Sequence, residues 1–254
     1  MKRAELVSIY KDTQRLARSS TSHSYKQSEK WNFHEDLPPD EDLFSNAEKR
    51  TSPASVKVVN ADTLTTAMLL KNSGHDPLVL NMASNTTPGG GVAHGAKAQE
   101  EVLFRCSNYD LCTNRRLYPL LDDEFVTTEN VTVIKDQDYN RLSDYVEFDF
   151  IAMAAPRKPP LLFDEDGEAR YMDQEDEELM QGKIDAIFRY ALYQDKGSLV
   201  LGALGCGAYG NPVTQVRDMF QQALDKYRYY FDNITFAVLA EGKNPNYDVF
   251  SRLK

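Results

Sequence analysis

Strand-like and helix-like patterns alternate along most of this chain, and that alternation restricts its fold more than any other feature. From residue 56, VKVVNAD reads as a strand, TLTTAMLLKN as a helix and PLVLNMA as a second strand. A glycine run follows, then a helix expected over about 95–113. VTVIKD and YVEFDFIAMAAP read as two more strands. Ile184, Ile187, Phe188 and Ala191 recur at helical spacing within 178–194. SLVLGAL reads as a buried strand, TQVRDMFQQALDKYRYYF as a helix and ITFAVLAE as a last strand. Most of these strands are continuous apolar runs, as strands covered on both faces are. The expected class is therefore α/β, a mostly parallel sheet with helices on both faces. Such sheets bind ligands outside the carboxyl ends of their strands. Both glycine-rich segments fall there.

The remainder of the chain sets limits on function. The 254 residues are 41% hydrophobic, enough for one large domain or two small ones. Residues 1–20 mix charge throughout and read as an amphipathic helix with Leu6, Ile9, Tyr10 and Leu16 on one side, not as a signal peptide. No apolar run approaches the roughly 20 residues that span a bilayer. An intracellular, non-secreted protein with no membrane partner is expected. Residues 18–55 are polar and turn-rich, so irregular structure anchored by Trp31 and Phe33 is expected there. Cys106, Cys112 and Cys206 fit no metal-ligand spacing and read as free, buried or half-buried thiols. A net charge of −10 argues against general nucleic-acid binding, although one local pocket can still hold an anion. The acidic stretch 164–178 reads as a solvated loop leading to a helix N-terminus, where negative charge is favourable.

Two glycine loops carry the chemistry. Pro88-Gly89-Gly90-Gly91 lets the backbone approach a ligand without a Cβ in the way. With a helix start just beyond, its N–H groups suit phosphate oxygens; the plain alternative is a mobile surface turn. Gly205-Cys206-Gly207-Ala208-Tyr209-Gly210 satisfies G-x-G-x-x-G between a strand and a helix, as a dinucleotide fingerprint does. Its candidate ribose acid, Glu241, stands 31 positions past Gly210 (241 − 210), against about 20 in that fingerprint. A nicotinamide-dependent dehydrogenase is the poorer reading for that reason, and no P-loop motif is present. Two loops at one sheet edge suggest a diphosphate gripped from both sides, with Tyr209 packing on a ribose or base.

Glu100 and Glu101, next to Gln99, fall in the first turns of the helix that the glycines introduce. Adjacent helical residues point about 100° apart, so the two acids cannot share one role. Glutamates at a helix start are stabilising without any chemistry. Beside a nucleotide diphosphate, however, a carboxyl would reach the attached ribose. Glycosidic cleavage there needs an acid for the leaving oxygen and a base for water.

The stretch NMASNTTPGGGVAHGAKAQEE resembles the signature of microbial-type poly(ADP-ribose) glycohydrolases, in which a GGG run precedes QEE by a short spacer. The likeness continues through VVNADTL, Arg105-Cys106-Ser107, LGALGCGAYGNP and NYDVF, over residues 56–254. The resemblance implies a macrodomain-like mixed sheet sandwiched between helices as the catalytic domain, 56–254, with residues 1–55 an N-terminal extension packed on it. It implies hydrolysis of the ribose–ribose bonds of poly(ADP-ribose), mainly from chain ends, with ADP-ribose as product. No metal or redox cofactor is implied. Glu101 would be the catalytic acid, and Glu100 would position the ribose whose hydroxyl leaves. Gly89, Gly90 and Gly91 would form the catalytic loop around diphosphate and distal ribose, with Val92 and Gln99 also binding substrate. Gly205, Cys206, Gly207, Ala208, Tyr209 and Gly210 would form the second diphosphate loop. Asn81 would orient the distal ribose and Asp62 would meet the adenine amine. Tyr209 stands where the family usually has phenylalanine, its hydroxyl expected to face solvent or phosphate. His94 stands where asparagine is frequent, as a solvent-facing loop residue. Two alternatives keep the fold: a mono-ADP-ribosyl hydrolase acting on modified protein or nucleic acid, and a non-catalytic ADP-ribose-binding macrodomain, which would not need the paired acids.

Overall fold

The computed structural model describes residues 1–24, 27–240, 242 and 245–254. Nine strands and eight α-helices are found among them: α1 (Arg3–Ser20), β1 (Ser28–Asn32), α2 (Asp40–Asn46), β2 (Ser55–Val59), α3 (Thr63–Asn72), β3 (Pro77–Met82), α4 (Gln99–Cys106), α5 (Tyr109–Cys112), β4 (Glu124–Lys135), β5 (Arg141–Met153), β6 (Leu161–Phe163), β7 (Ala169–Tyr171), α6 (Gln174–Tyr193), β8 (Ser198–Leu201), α7 (Val213–Tyr227), β9 (Asn233–Ala237) and α8 (Asn246–Phe250). Seven strands make one mixed sheet in the order β1-β4-β5-β3-β8-β9-β2. The pairs from β5 to β2 are parallel, and β4 runs antiparallel to both β1 and β5.

Successive residues of a strand face opposite sides, and here both sides are apolar. Leu78, Leu80, Ile151, Leu199 and Phe236 pack with α6 and α7 on one face. Val79, Phe150 and Val200 pack with α3, α4 and Tyr10 of α1 on the other. The sheet is thus sandwiched between helical layers, as the continuous apolar runs require. No helix among the described residues is long and apolar enough to cross a membrane.

Three departures from the sequence reading have local causes. Residues 18–55 are not irregular throughout. β1 adds an antiparallel edge to β4, α2 follows, and Trp31 stacks on Phe125 while Phe33 is buried. The single helix expected over 95–113 is two, because Ser107 and Asn108 leave it to pair with β4. Asn108 N–H donates to Thr132 O at 3.0 Å, and Thr132 N–H returns to Asn108 Oδ1 at 2.8 Å. The acidic loop after 160 contains the hairpin β6–β7. Its turn is closed by Asp164 Oδ1, which accepts from the N–H groups of Asp166 and Glu168.

Candidate active site

The carboxyl ends of β3, β5, β8 and β9 open into a cavity of about 530 Å³. Its wall includes Met82, Ala155, Ala203 and Ala237, which end or follow those strands, together with Asp62, Gly90, Gln99, Glu100, Glu101 and Tyr209. A pocket in the crevice past the strand ends is the expected place for a ligand in this architecture.

α4 begins at Gln99, so Glu100 and Glu101 occupy its first turn. Both are nearly inaccessible, at 3% and 6% exposure. Their environments differ, as two acids about 100° apart on a helix must. Glu100 accepts from every side: Ser84 N–H at 2.8 Å, Gly89 N–H at 3.0 Å and Asn81 Nδ2 at 3.4 Å. Burial pushes its carboxyl up to about 8, opposed by the bonds from Ser84, Gly89 and Asn81, with a smaller upward push from Glu101. Glu101 is held by one oxygen only. Gly91 N–H donates to Oε1 at 2.9 Å, while Oε2 has no hydrogen-bond partner. No Lys or Arg among the described residues pairs with either acid.

The first glycine loop does not have the free cradle expected from the sequence. Gly89 and Gly91 direct their N–H groups to Glu100 and Glu101, and Gly90 N–H donates to Thr87 O at 3.0 Å. The loop is a collar on the two carboxylates. Gly90 has φ +49°, and a Cβ there would lie 2.6 Å from Glu101 Oε1. Only glycine allows the backbone so close to the acid. Val92 is buried behind the loop in the core, and His94 is exposed at the surface.

The second loop does present donors. Cys206 and Gly210 N–H groups are taken by Ala203 O and Gly207 O, whereas those of Gly207, Ala208 and Tyr209 have no acceptor among the described residues. All three residues line the cavity. Cys206 turns its half-buried thiol toward the core, where burial pushes its pKa up. The Tyr209 hydroxyl is engaged by Asn85, to whose Oδ1 it donates at 3.3 Å. It accepts from Asn85 N–H at 3.2 Å and so ties the second loop to the approach of the first.

Asn81, at the end of β3, is buried behind Glu100; its Nδ2 reaches Tyr109 Oη as well as Glu100, and its Oδ1 has no partner. Asp62 caps α3 through Oδ1, which accepts from Leu64 and Thr65 N–H at 2.9 and 3.0 Å, leaving Oδ2 unpartnered. Gln99 fastens the start of α4 to β3, accepting from Met82 N–H at 3.0 Å and donating to Leu80 O at 2.7 Å. Glu241, the ribose acid of the dehydrogenase reading, lies outside the described residues. Two contributors, Ser84 and Tyr109, have no role in the sequence reading, and Arg105 enters it only as part of a resembling segment. Ser84 acts through its backbone, for which no side-chain signal exists. Tyr109 and Arg105 are both fully buried, which nothing in their sequence surroundings signals.

No curated protein matches the chain in sequence. Among solved structures, the poly(ADP-ribose) glycohydrolase (PARG) of Thermomonospora curvata superposes with TM-score 0.81 at 22% identity, over 99% of this chain and 100% of that one. The same glycohydrolase bound to the inhibitor ADP-HPD gives 0.79 at 22%, over 98% and 99% of the two chains. The PARG of Deinococcus radiodurans in complex with ADP-ribose gives 0.73 at 23%, over 90% and 94%. These likenesses establish the macrodomain-type fold. The model of the microbial-type PARG catalytic domain matches residues 2–136, which is 135 of 254 positions, and the chain belongs to that family.

Proposed function

We propose that this enzyme hydrolyses the ribose–ribose O-glycosidic bonds of poly(ADP-ribose) with Glu101 as acid and then base. The observation that carries the proposal is the division of the carboxyl of Glu101, a residue of the cavity wall, into an oxygen fixed by Gly91 N–H and a buried oxygen without a partner. The free oxygen passes its proton to the leaving ribose oxygen as the anomeric C–O bond breaks. The resulting carboxylate takes a proton from the water that attacks the oxocarbenium-like centre, restoring the acid. Glu100, fixed by three donors, is placed to hold the ribose hydroxyls, with the Asn81 amide behind it.

The free amides of Gly207, Ala208 and Tyr209 support a diphosphate in the second loop, and the unpartnered Asp62 Oδ2 supports an amine donor such as that of adenine. A cavity of about 530 Å³ suits one nucleotide-sized ligand. A net charge of −10 disfavours a track along which a polyanion could lie. Both support attack at chain ends. Three free thiols accord with a reducing, intracellular setting.

The test is release of ADP-ribose from automodified, poly(ADP-ribosyl)ated protein by the wild type and by Glu101→Gln. Free ADP-ribose from the wild type, with at least a ~100-fold slower mutant, supports the acid–base assignment. A wild type that binds ADP-ribose but leaves polymer intact would refute it in favour of a binding module or a hydrolase of another ADP-ribosyl bond.

A further inference from the structure

Resting on the glycohydrolase reading, we infer that Arg105 and helix α1 form a brace that fixes the position of Glu101, with Arg105 a positioning residue that touches no substrate. Arg105 stands one turn after Glu101 on α4 and is 0% exposed. Its guanidinium donates to the carbonyl of Ala96 and to Tyr139 Oη at 3.4 Å. Nε has no acceptor, and no carboxylate among the described residues pairs with the group. Burying a cation against neutral acceptors alone is costly. Here it immobilises the spacer between the glycine run and the acids.

A short series of contacts leads from Arg105 to the reacting group. Ala96, held by the guanidinium, donates its own N–H to Gly91 O at 3.2 Å. A Cβ on Gly91 would lie 2.9 Å from Ala96 Cβ, so these residues are in direct contact. The Gly91 N–H is the sole hydrogen bond on the Glu101 carboxyl among the described residues. Gly91 O also accepts from His94 N–H at 2.9 Å, so release of Ala96 loosens Gly91 without detaching it, and a looser Gly91 N–H loosens the acid.

α1 closes the same assembly from outside. Thr13 Oγ1 donates to Arg105 O at 2.5 Å. Gly95, at φ +74°, lies so close to the first turn of α1 that a Cβ would be 2.6 Å from Arg3 O. No other residue type lets the spacer lie flat under that turn. The N-terminal helix and the buried arginine thus hold the spacer from two sides. Shifts of about 1 Å in a catalytic group cost on the order of a hundredfold in rate while leaving remote binding contacts intact.

The experiment compares wild type, Arg105→Met, Gly95→Ala and a control, Gln14→Ala. Gln14 binds Asp110 of α5 at 2.6 Å and Tyr10 Oη at 3.1 Å, and makes no hydrogen bond to the spacer among the described residues. The readouts are kcat and KM on polymer, Kd for ADP-ribose, the thermal midpoint, and hydrogen exchange of the Gly91 amide by NMR. Arg105→Met and Gly95→Ala are expected to lower kcat at least ~10-fold with Kd within about threefold, and to speed Gly91 exchange. Gln14→Ala is expected to lower the thermal midpoint without changing kcat. Unchanged kcat and Gly91 exchange in both brace variants, or an equal loss of kcat in Gln14→Ala, would overturn the inference. If Arg105→Met does not fold, Gly95→Ala decides by the same readouts. If the wild type leaves polymer intact, the glycohydrolase reading fails, and Gly91 exchange still decides whether the brace exists.

Discussion

Gly91 N–H donates to Glu101 Oε1 at 2.9 Å, and the second oxygen of that carboxyl has no partner. Glutamine at 101 keeps the accepting oxygen and replaces only the free one. Glu101→Gln should therefore retain the fold and bind ADP-ribose within a few-fold of wild type, while turnover of polymer falls by about 10²–10⁴. Calorimetric titration beside a turnover assay separates the two. A parallel loss of affinity would mean that Glu101 binds substrate instead of moving a proton.

Gly90 lies where no side chain fits beside the acids. A Cβ there would meet Glu101 Oε1 at 2.6 Å and Glu100 Oε2 at 3.1 Å, and φ is +49°. Gly90→Ala should lose roughly 1–3 kcal/mol of stability and most of its activity. Gly74→Ala is the control, since Gly74 also has positive φ (+87°) but nothing within 4 Å of its would-be Cβ. It should lose comparable stability and no activity. Equal kinetic effects in the two variants would show that strain, not contact with the carboxylates, is responsible.

The parts of this site that the sequence makes legible are those written in periodicity and residue type. β3 and α4 follow from apolar pattern, and with them the placement of Asn81, Glu100 and Glu101 at one strand end. What the pattern does not carry is which acceptor each donor finds. A glycine run shows exposed N–H groups, and a phosphate is an obvious acceptor. Here the chain's own carboxylates compete and win at Gly89 and Gly91. β1 is hidden for a related reason. SEKWN has no apolar alternation, and its strand character comes from pairing with β4 over five registered residues. The burial of Arg105 is equally hidden, since its guanidinium partners are the Ala96 carbonyl and Tyr139 Oη, 34 positions further on.

Glu100 makes the fold sensitive to pH in a defined direction. Its carboxyl titrates at about 8 when folded, against an ordinary 4.5. Burial is cheapest when it is protonated, so its contribution is fully present below about pH 4.5 and is lost as pH rises through about 8. Relative to Glu100→Gln, wild type should lose stability over that window, by at most about 5 kcal/mol. Urea midpoints of both proteins between pH 5 and 8.5 measure the difference, in which the other titrating groups cancel. Parallel profiles would show that Glu100 is ionised in the folded protein throughout, its donors from Ser84, Gly89 and Asn81 outweighing burial.

Asp62 combines two tasks that one substitution can separate. Oδ1 caps α3 on Leu64 and Thr65, and Oδ2 is buried and unpartnered on a residue that lines the cavity. Serine is as good an N-cap as aspartate, whereas alanine costs about 1 kcal/mol. Asp62→Ser should therefore keep the thermal midpoint, and Asp62→Ala should lower it. Both remove the second oxygen. If it accepts a ligand amine, both should weaken ADP-ribose about 10- to 100-fold, the span of one hydrogen bond to a charged group. Ribose 5-phosphate, which lacks the base, should bind all three proteins alike. Full ADP-ribose affinity in Asp62→Ser would assign Asp62 to the helix cap alone and leave recognition of the base to other residues of the wall.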